Sequence, residues 1–236
     1  MELRSVLQPI VDVDKGEVMG HEALLRGPAG SKWESPAVLF ADAARRGQGE
    51  LLEAKARSLA LARLHDLPQG QRLFINIDTL VLNLPVFPHF NEVPRERIVL
   101  EISEMRPIIE NRRLLESVQT WKEAGFCIAI DDYGAGYMGL GAIFALKPDM
   151  LKLDRVVTAG AQTDEIRRVA IRAVLDIARK ADMMVIAEGI ETHEEYCALH
   201  RLGIRYMQGY YFGRPQDDPL RGPLAVCCHQ NDGDSP

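Results

Sequence analysis

An α/β fold, a TIM-like (β/α)8 barrel with one antiparallel strand, is what this sequence predicts, and three observations predict it. Strand-like and helix-like patterns alternate along the chain. Roughly eight strands fall within about 220 residues, which suits a closed ring better than an open sheet. The first two strands are joined by a turn too tight for parallel pairing, so one strand must run backwards.

The elements follow in order. VLQPIVDV, the turn Asp14-Lys15-Gly16 and EVMGHEALL form the opening hairpin. A helical stretch over 36–66, punctuated by Gly47 and Gly49, leads to the strand RLFINI. A connector through Pro85, Pro88 and Pro94 leads to RIVLEI, and the amphipathic stretch PIIENRRLLESVQTWKEAG leads to FCIAI. A short helical turn near Met138–Leu146 precedes DMLKL, and a long helix near Thr163–Ala181 precedes MMVIAEGI. HEEYCALHRLG then leads to IRYMQGYYF. No internal repeat or linker marks a second domain. Residues 1–220 are expected to form the domain and 221–236, RGPLAVCCHQNDGDSP, a disordered tail.

Composition narrows the function. The 236 residues are 47% apolar and 26% charged, with a net charge of −6, so no surface is expected to wrap long nucleic acid. A small anion needs only a few placed cations and stays open. The N-terminus MELRSVLQPIVDVD does not read as a signal peptide, and no apolar run of about eighteen residues predicts a membrane span. Cys127, Cys197, Cys227 and Cys228 lack metal-ligand spacing and read as free thiols, so a cytoplasmic location is expected.

Several strands carry a polar residue that a barrel wall does not need. Asn76, Glu101, Asp131, Lys152, Glu188 and Gln208 lie near carboxyl ends of strands, and Glu22 lies in the second half of its own. Strand residues alternate faces, and apolar neighbours such as Ile75 and Ile77, Leu100 and Ile102, or Leu151 and Leu153 face the outer helices. The polar residues then point inward, where barrel enzymes build their sites. Glu22, Glu101, Asp131, Asp132 and Glu188 would repel one another unless cations neutralised them. Oxygen ligands with one amide, Asn76, suit Mg²⁺ or Mn²⁺ rather than zinc. Singly, each residue has a structural explanation: a cap for a lone acid, a turn for Asn76, an ion pair with Asp154 or a barrel carboxylate for Lys152. Matching inward parity on five or more strands does not.

Glu22-Ala23-Leu24-Leu25-Arg26 resembles the signature of the EAL-domain family of cyclic di-GMP phosphodiesterases. The similarity continues through Asn76-Ile77-Asp78, Glu101 and Glu104 in EISE, Asp131-Asp132-Tyr133-Gly134, LKLD at 151–154, AEGIE at 187–191 and QGYYFGRP at 208–215. It spans Gln8-Pro9-Ile10 to Gly213-Arg214-Pro215, nearly all of the ordered chain expected.

The resemblance implies two ions per site. Glu22, Asn76, Glu101 and Asp131 are expected to hold one, and Asp131, Asp132 and Glu188 the other. Lys152 is expected to contact the attacking water and assist its deprotonation. Gln8, Arg26, Asp154, Glu191 and Gln208 are expected to bind substrate or orient the site, and Glu104 to anchor the loop after Asp132. The implied reaction is hydrolysis of cyclic di-GMP to linear pGpG, in which Ca²⁺ should bind and inhibit because it activates water less well. A homodimer through the 133–146 segment, with the apolar run Leu140, Ile143, Phe144 and Leu146, is also expected, and the source of control stays open between that dimer and an unseen sensory or regulatory partner. Tyr133 in place of Phe, Met138-Gly139 in place of two serines, and His21 and Gly27 beside EALLR depart from the family pattern without removing a ligand. The rival readings are a receptor that holds cyclic di-GMP without cutting it, and a one-metal barrel lyase or aldolase with Lys152 as base.

Overall fold

The opening hairpin sets the direction of the wall. Strand β1 (Arg4–Asp12) pairs antiparallel with β2 (Glu17–Arg26), and Gly16 takes a positive φ of 65° in the turn between them. The remaining strands run with β2: β3 (Arg72–Asn76), β4 (Ile98–Ser103), β5 (Cys127–Tyr133), β6 (Met150–Leu153), β7 (Met184–Ala187) and β8 (Tyr206–Gln208). β8 closes the ring against β1, again antiparallel, so β1 is the reversed strand of a closed eight-stranded barrel. The computed structural model describes residues 2–78, 93–105, 108–136 and 139–224. Pro85, Pro88, Met138 and the Cys227–Cys228 pair lie outside the described residues.

Helices cover the wall. The stretch over 36–66 resolves into α1 (Pro36–Arg45) and α2 (Gly49–Ala62), broken where Gly47 takes a φ of 66°. α3 (Arg112–Glu123) starts at Asn111, whose side chain accepts from Leu114 N–H, and α4 (Leu140–Leu146) follows β5. A single turn not anticipated from the sequence, α5 (Arg155–Thr158), precedes α6 (Glu165–Lys180). Asp164 caps α6, and a capping box between Thr192 and Glu195 opens α7 (His193–Arg201), each worth about 1 kcal/mol. No described helix is long and apolar enough to cross a membrane.

No helix separates β1 from β2, and β8 pairs with only Ile10–Asp12 of β1. The segment after β8 fills that gap, with Leu7 and Gln216 exchanging backbone hydrogen bonds at 2.8 and 3.0 Å. It stays fastened beyond residue 220. Leu220 N–H donates to His21 Nε2 at 3.0 Å, Arg221 to the Asp66 carbonyl, and Leu224 N–H to the Gly16 carbonyl at 2.8 Å. The first residues of the expected tail, 221–224, are therefore held against the barrel; 225–236 lie outside the described residues.

The interior is layered. Ile10, Phe74, Val99, Ala129, Met150 and Ile186 form a separate buried apolar cluster. Two residues further toward the carboxyl ends of β3 to β7 stand Asn76, Glu101, Asp131, Lys152 and Glu188. On reversed β1 the step runs the other way, from Ile10 to Gln8. Successive residues on one face of a strand are two apart, so the apolar cluster is the floor of the polar layer. Gly20 makes room for it, because a Cβ there would lie 2.4 Å from the Arg72 carbonyl oxygen and 3.1 Å from the Phe74 ring.

Candidate active site

The polar layer is tied together by side chains from most of the strands. Glu22, 7% exposed, accepts from Asn76 Nδ2 at 2.8 Å and from Gln208 Nε2 at 2.8 Å. Lys152 is fully buried, and its Nζ lies 2.6 Å from Glu101, 2.7 Å from Glu188, 3.0 Å from Asp131 and 3.3 Å from Glu22. One ammonium thus touches four carboxylates.

Asp131 and Asp132 are neighbours, and on a regular strand they would face opposite sides. The pairing of β5 with β6 slips between Ile130 and Tyr133, and Asp132 adopts a left-handed φ of 57°. A bulge of this kind re-aims a side chain, and aspartate tolerates the conformation better than most residues. Ser103 Oγ, absent from the sequence expectations, donates to Asp132 Oδ2 at 2.6 Å and holds it there. Carboxylate oxygens of Glu22, Glu101 and Asp131 lie within 4.8 Å of one another, and so do those of Asp131, Asp132 and Glu188. Asp131 belongs to both groups.

The electrostatics are those of a cluster short of positive charge. Burial drives Lys152 down, but Asp131, Glu101, Glu188 and Glu22 outweigh it and raise the ammonium well above its ordinary range. Burial, then the charge of Glu22, pushes Glu101 well above the carboxylate range. Burial also raises Asp131, and takes Glu188 up to about 8, against the opposing pull of Lys152. Glu22 alone ends lowered: burial raises it, but Lys152, Gln208 and Asn76 more than compensate.

The residues fit divalent cations on two counts. Both oxygens of Glu101, and Asp131 Oδ1, are buried without a hydrogen bond of acceptable geometry, although Lys152 lies within ion-pair distance of both residues. Five carboxylates facing one ammonium leave four negative charges over if all ionise, the charge of two divalent ions. An all-oxygen donor set with one amide suits hard cations.

The remaining expected residues surround this centre. Gln8 Oε1 accepts from Gln208 at 3.3 Å, and Gln8 Nε2 donates to the Gly213 carbonyl at 3.3 Å. Gln8, Glu22, Asp154, Glu188, Glu191 and Gln208 line one cavity of about 290 Å³. Asp154 also caps α5, accepting from Val156 N–H at 2.7 Å. Arg155, not anticipated, holds the far wall by donating to Glu191 Oε2 at 3.1 Å and to the Gly189 carbonyl. Arg26 is half-buried and donates to the adjacent Leu25 carbonyl at 2.8 Å; burial lowers its pKa, and Glu22 and Tyr210 pull it back up.

Glu104 stands apart from the carboxylate cluster. Its Oε1 accepts from Gly134 and Gly136 N–H at 2.6 and 3.0 Å, and its Oε2 from Gly139 N–H at 3.2 Å. The backbone after β5 is wrapped on this one carboxylate, and a Cβ at Gly136 would lie 2.5 Å from the Glu104 carbonyl oxygen.

The family model of the EAL domain matches residues 1–215. The chain belongs to the EAL domain family. A relative from Escherichia coli K12 named probable cyclic di-GMP phosphodiesterase PdeG is 32% identical over 228 residues, covering 91% of this chain and 45% of its own. Among solved structures, the manganese and cyclic di-GMP complex of Klebsiella pneumoniae BlrP1 superimposes with a TM-score of 0.82 at 29% identity, over 92% of this chain and 56% of that one. A standalone EAL protein from Vibrio cholerae, bound to cyclic di-GMP, gives 0.78 at 27% identity, over 92% and 94%. The EAL chain described here spans about half the length, or less, of the curated relatives it matches first.

Proposed function

We propose that this EAL domain hydrolyses one phosphodiester bond of cyclic di-GMP to give linear pGpG, with two Mg²⁺ or Mn²⁺ ions. The observation that carries the reading is the pair of acidic groups sharing Asp131, with Lys152 set between them. Glu22, Asn76, Glu101 and Asp131 would hold one ion, and Asp131, Asp132 and Glu188 the other. When bound, the ions supply Lewis-acid activation of a water and stabilise charge on the phosphate oxygens.

The chain's own residues do the rest. Lys152, Gln208 and Asn76 keep Glu22 ionised, and the two amides fix its orientation. The charges that keep the Lys152 proton in place would be offset by cations held by these carboxylates, and its pKa would so be lowered. Its Nζ is then placed to take a proton from water at the phosphorus, an assistance worth about 10²–10⁴-fold. Arg26 neutralises a phosphate oxygen at the rim, while Gln8, Asp154 and Glu191 orient the dinucleotide. A receptor needs the substrate contacts but not this buried lysine among ligands, which favours hydrolysis.

Regulation is proposed to come from a partner or a second copy. Of the apolar run expected at a dimer face, Ile143 and Leu146 are buried in this chain's own core, leaving Leu140 and Phe144 exposed. A fully active monomer in sedimentation at micromolar concentration would remove the dimer from the account. The catalytic reading is tested with Glu22→Ala. Hydrolysis should disappear while circular dichroism keeps the barrel signature, because the floor and outer core are built from other residues; near wild-type turnover contradicts the assignment.

A further inference from the structure

We propose that Arg57 is a specificity-determining residue that reads the O6/N7 edge of one guanine base of the substrate. The inference rests on the reading of that substrate as cyclic di-GMP.

Arg57 stands on the inner face of α2, with Glu53 four residues before it and Ala60 three after it on the same stripe. It is only 6% exposed. Among the described residues it nevertheless makes no side-chain hydrogen bond or ion pair. Arginine is almost never buried to this extent unless it is paired, and none of the Arg57 nitrogens is among the buried atoms without a partner, so the guanidinium opens on the adjoining cavity. A charge kept there calls for a ligand.

The surroundings say which ligand. Arg57 lines a cavity of about 520 Å³ whose wall also includes Glu22, Asn76, Asp131 and Asp132. The same cavity therefore touches the carboxylate centre and the guanidinium. α2 precedes β3 and runs opposite to it, so its N-terminal end is at the mouth. Helical side chains tilt toward the N-terminus, which aims Arg57 back at the mouth from one turn below Glu53. Leu25, Phe40, Ala60, Ile75 and Ile77 supply apolar wall to the same cavity. A flat heteroaromatic ring suits such a slot, whereas a phosphate would lose its hydration for one cation. Glu53 and Asp78 line the same cavity and would repel a phosphate. A purine edge with two acceptors matches the guanidinium fork, and guanine presents that edge through O6 and N7, while adenine places a donor at position 6.

The test compares Arg57→Met and Arg57→Lys with wild type. Arg57→Met keeps length and removes the charge. In metal-free, ligand-free protein its thermal midpoint should equal or exceed that of wild type, since an unpaired buried charge has gone. With Mn²⁺, KM for cyclic di-GMP should rise roughly 10- to 100-fold at a kcat within about three-fold, while the Ki of cyclic di-AMP as competitor stays unchanged. Arg57→Lys, which keeps a charge but not the fork, should recover only part of the discrimination. Unchanged KM overturns the proposal, and so does equal weakening of both dinucleotides, which would put Arg57 on the phosphate. A collapse of the thermal midpoint in Arg57→Met makes it a structural residue and also overturns it. Wild-type protein that neither binds nor cleaves cyclic di-GMP overturns the proposed function itself, an outcome visible in the control before any variant is read.

Discussion

Lys152 shows at the scale of one residue how a site can be held together before its cofactors arrive. Its ammonium neutralises part of a buried carboxylate cluster, so it competes with cations for the same oxygens. Lys152→Met should therefore do two opposite things. Without divalent ions it leaves buried carboxylates uncompensated and destabilises the fold by about 3–5 kcal/mol. Saturating Mg²⁺ should recover most of that loss, while turnover stays down about 10²–10⁴-fold. Thermal unfolding in EDTA and in Mg²⁺, beside single-turnover hydrolysis, reads both; equal stability in EDTA would show that the lysine does not hold the cluster. Glu188 makes the coupling measurable by pH. With its pKa raised to about 8, it retains its proton at pH 7 in the metal-free state and must lose it to bind a cation. Metal affinity should rise with pH up to about 8, and binding at pH 7 should release protons, seen as buffer-dependent calorimetric heats. Heats independent of the buffer would contradict this. Strand parity made Glu22, Asn76, Glu101, Asp131 and Lys152 legible in the sequence. It could not show the bulge that sets Asp132 beside Asp131, nor Arg57, which lies on a helix; Ser103 shares the parity of Glu101, but a serine at a strand end carries no signal of its own.

Among elements, the loop after β5 depends on Glu104 as much as the site depends on the strands. Three backbone N–H groups converge on one carboxylate there. Glu104→Gln removes an acceptor oxygen and presents an amide donor to N–H groups that also donate, at a cost of about 1–3 kcal/mol for each left unpaired. Because the same segment begins at Asp131 and Asp132, the loss should reach the site. Hydrolysis should fall more than ten-fold, amide exchange at Gly134 and Gly136 should accelerate, and the strands should keep their protection. Wild-type exchange and turnover together would show the loop to be fixed by something else. The role of Glu104 came from motif resemblance, since nothing in its periodicity separates it from an ordinary exposed acid. The split of 36–66 into α1 and α2 was signalled by Gly47, whereas the single turn α5 carries too few residues to show a period.

For the whole molecule, one reversed strand matters. With β1 antiparallel, Gln8 meets the polar layer from the opposite chain direction and accepts from Gln208, and the segment after β8 covers the side where no helix intervenes. The hairpin turn predicted the reversal, but not the strap over it, because 213–224 has no periodic pattern to read. The central claim is that this barrel brings carboxylates together to hold cations that cleave cyclic di-GMP. Its most direct test is to dialyse the purified chain against EDTA, add cyclic di-GMP with Mg²⁺ or Mn²⁺, and follow the products by chromatography. Linear pGpG should accumulate with either ion, stop on re-addition of excess EDTA and slow when Ca²⁺ is substituted. Undiminished cleavage in excess EDTA, or an intact cyclic dinucleotide with every divalent ion, would contradict the account.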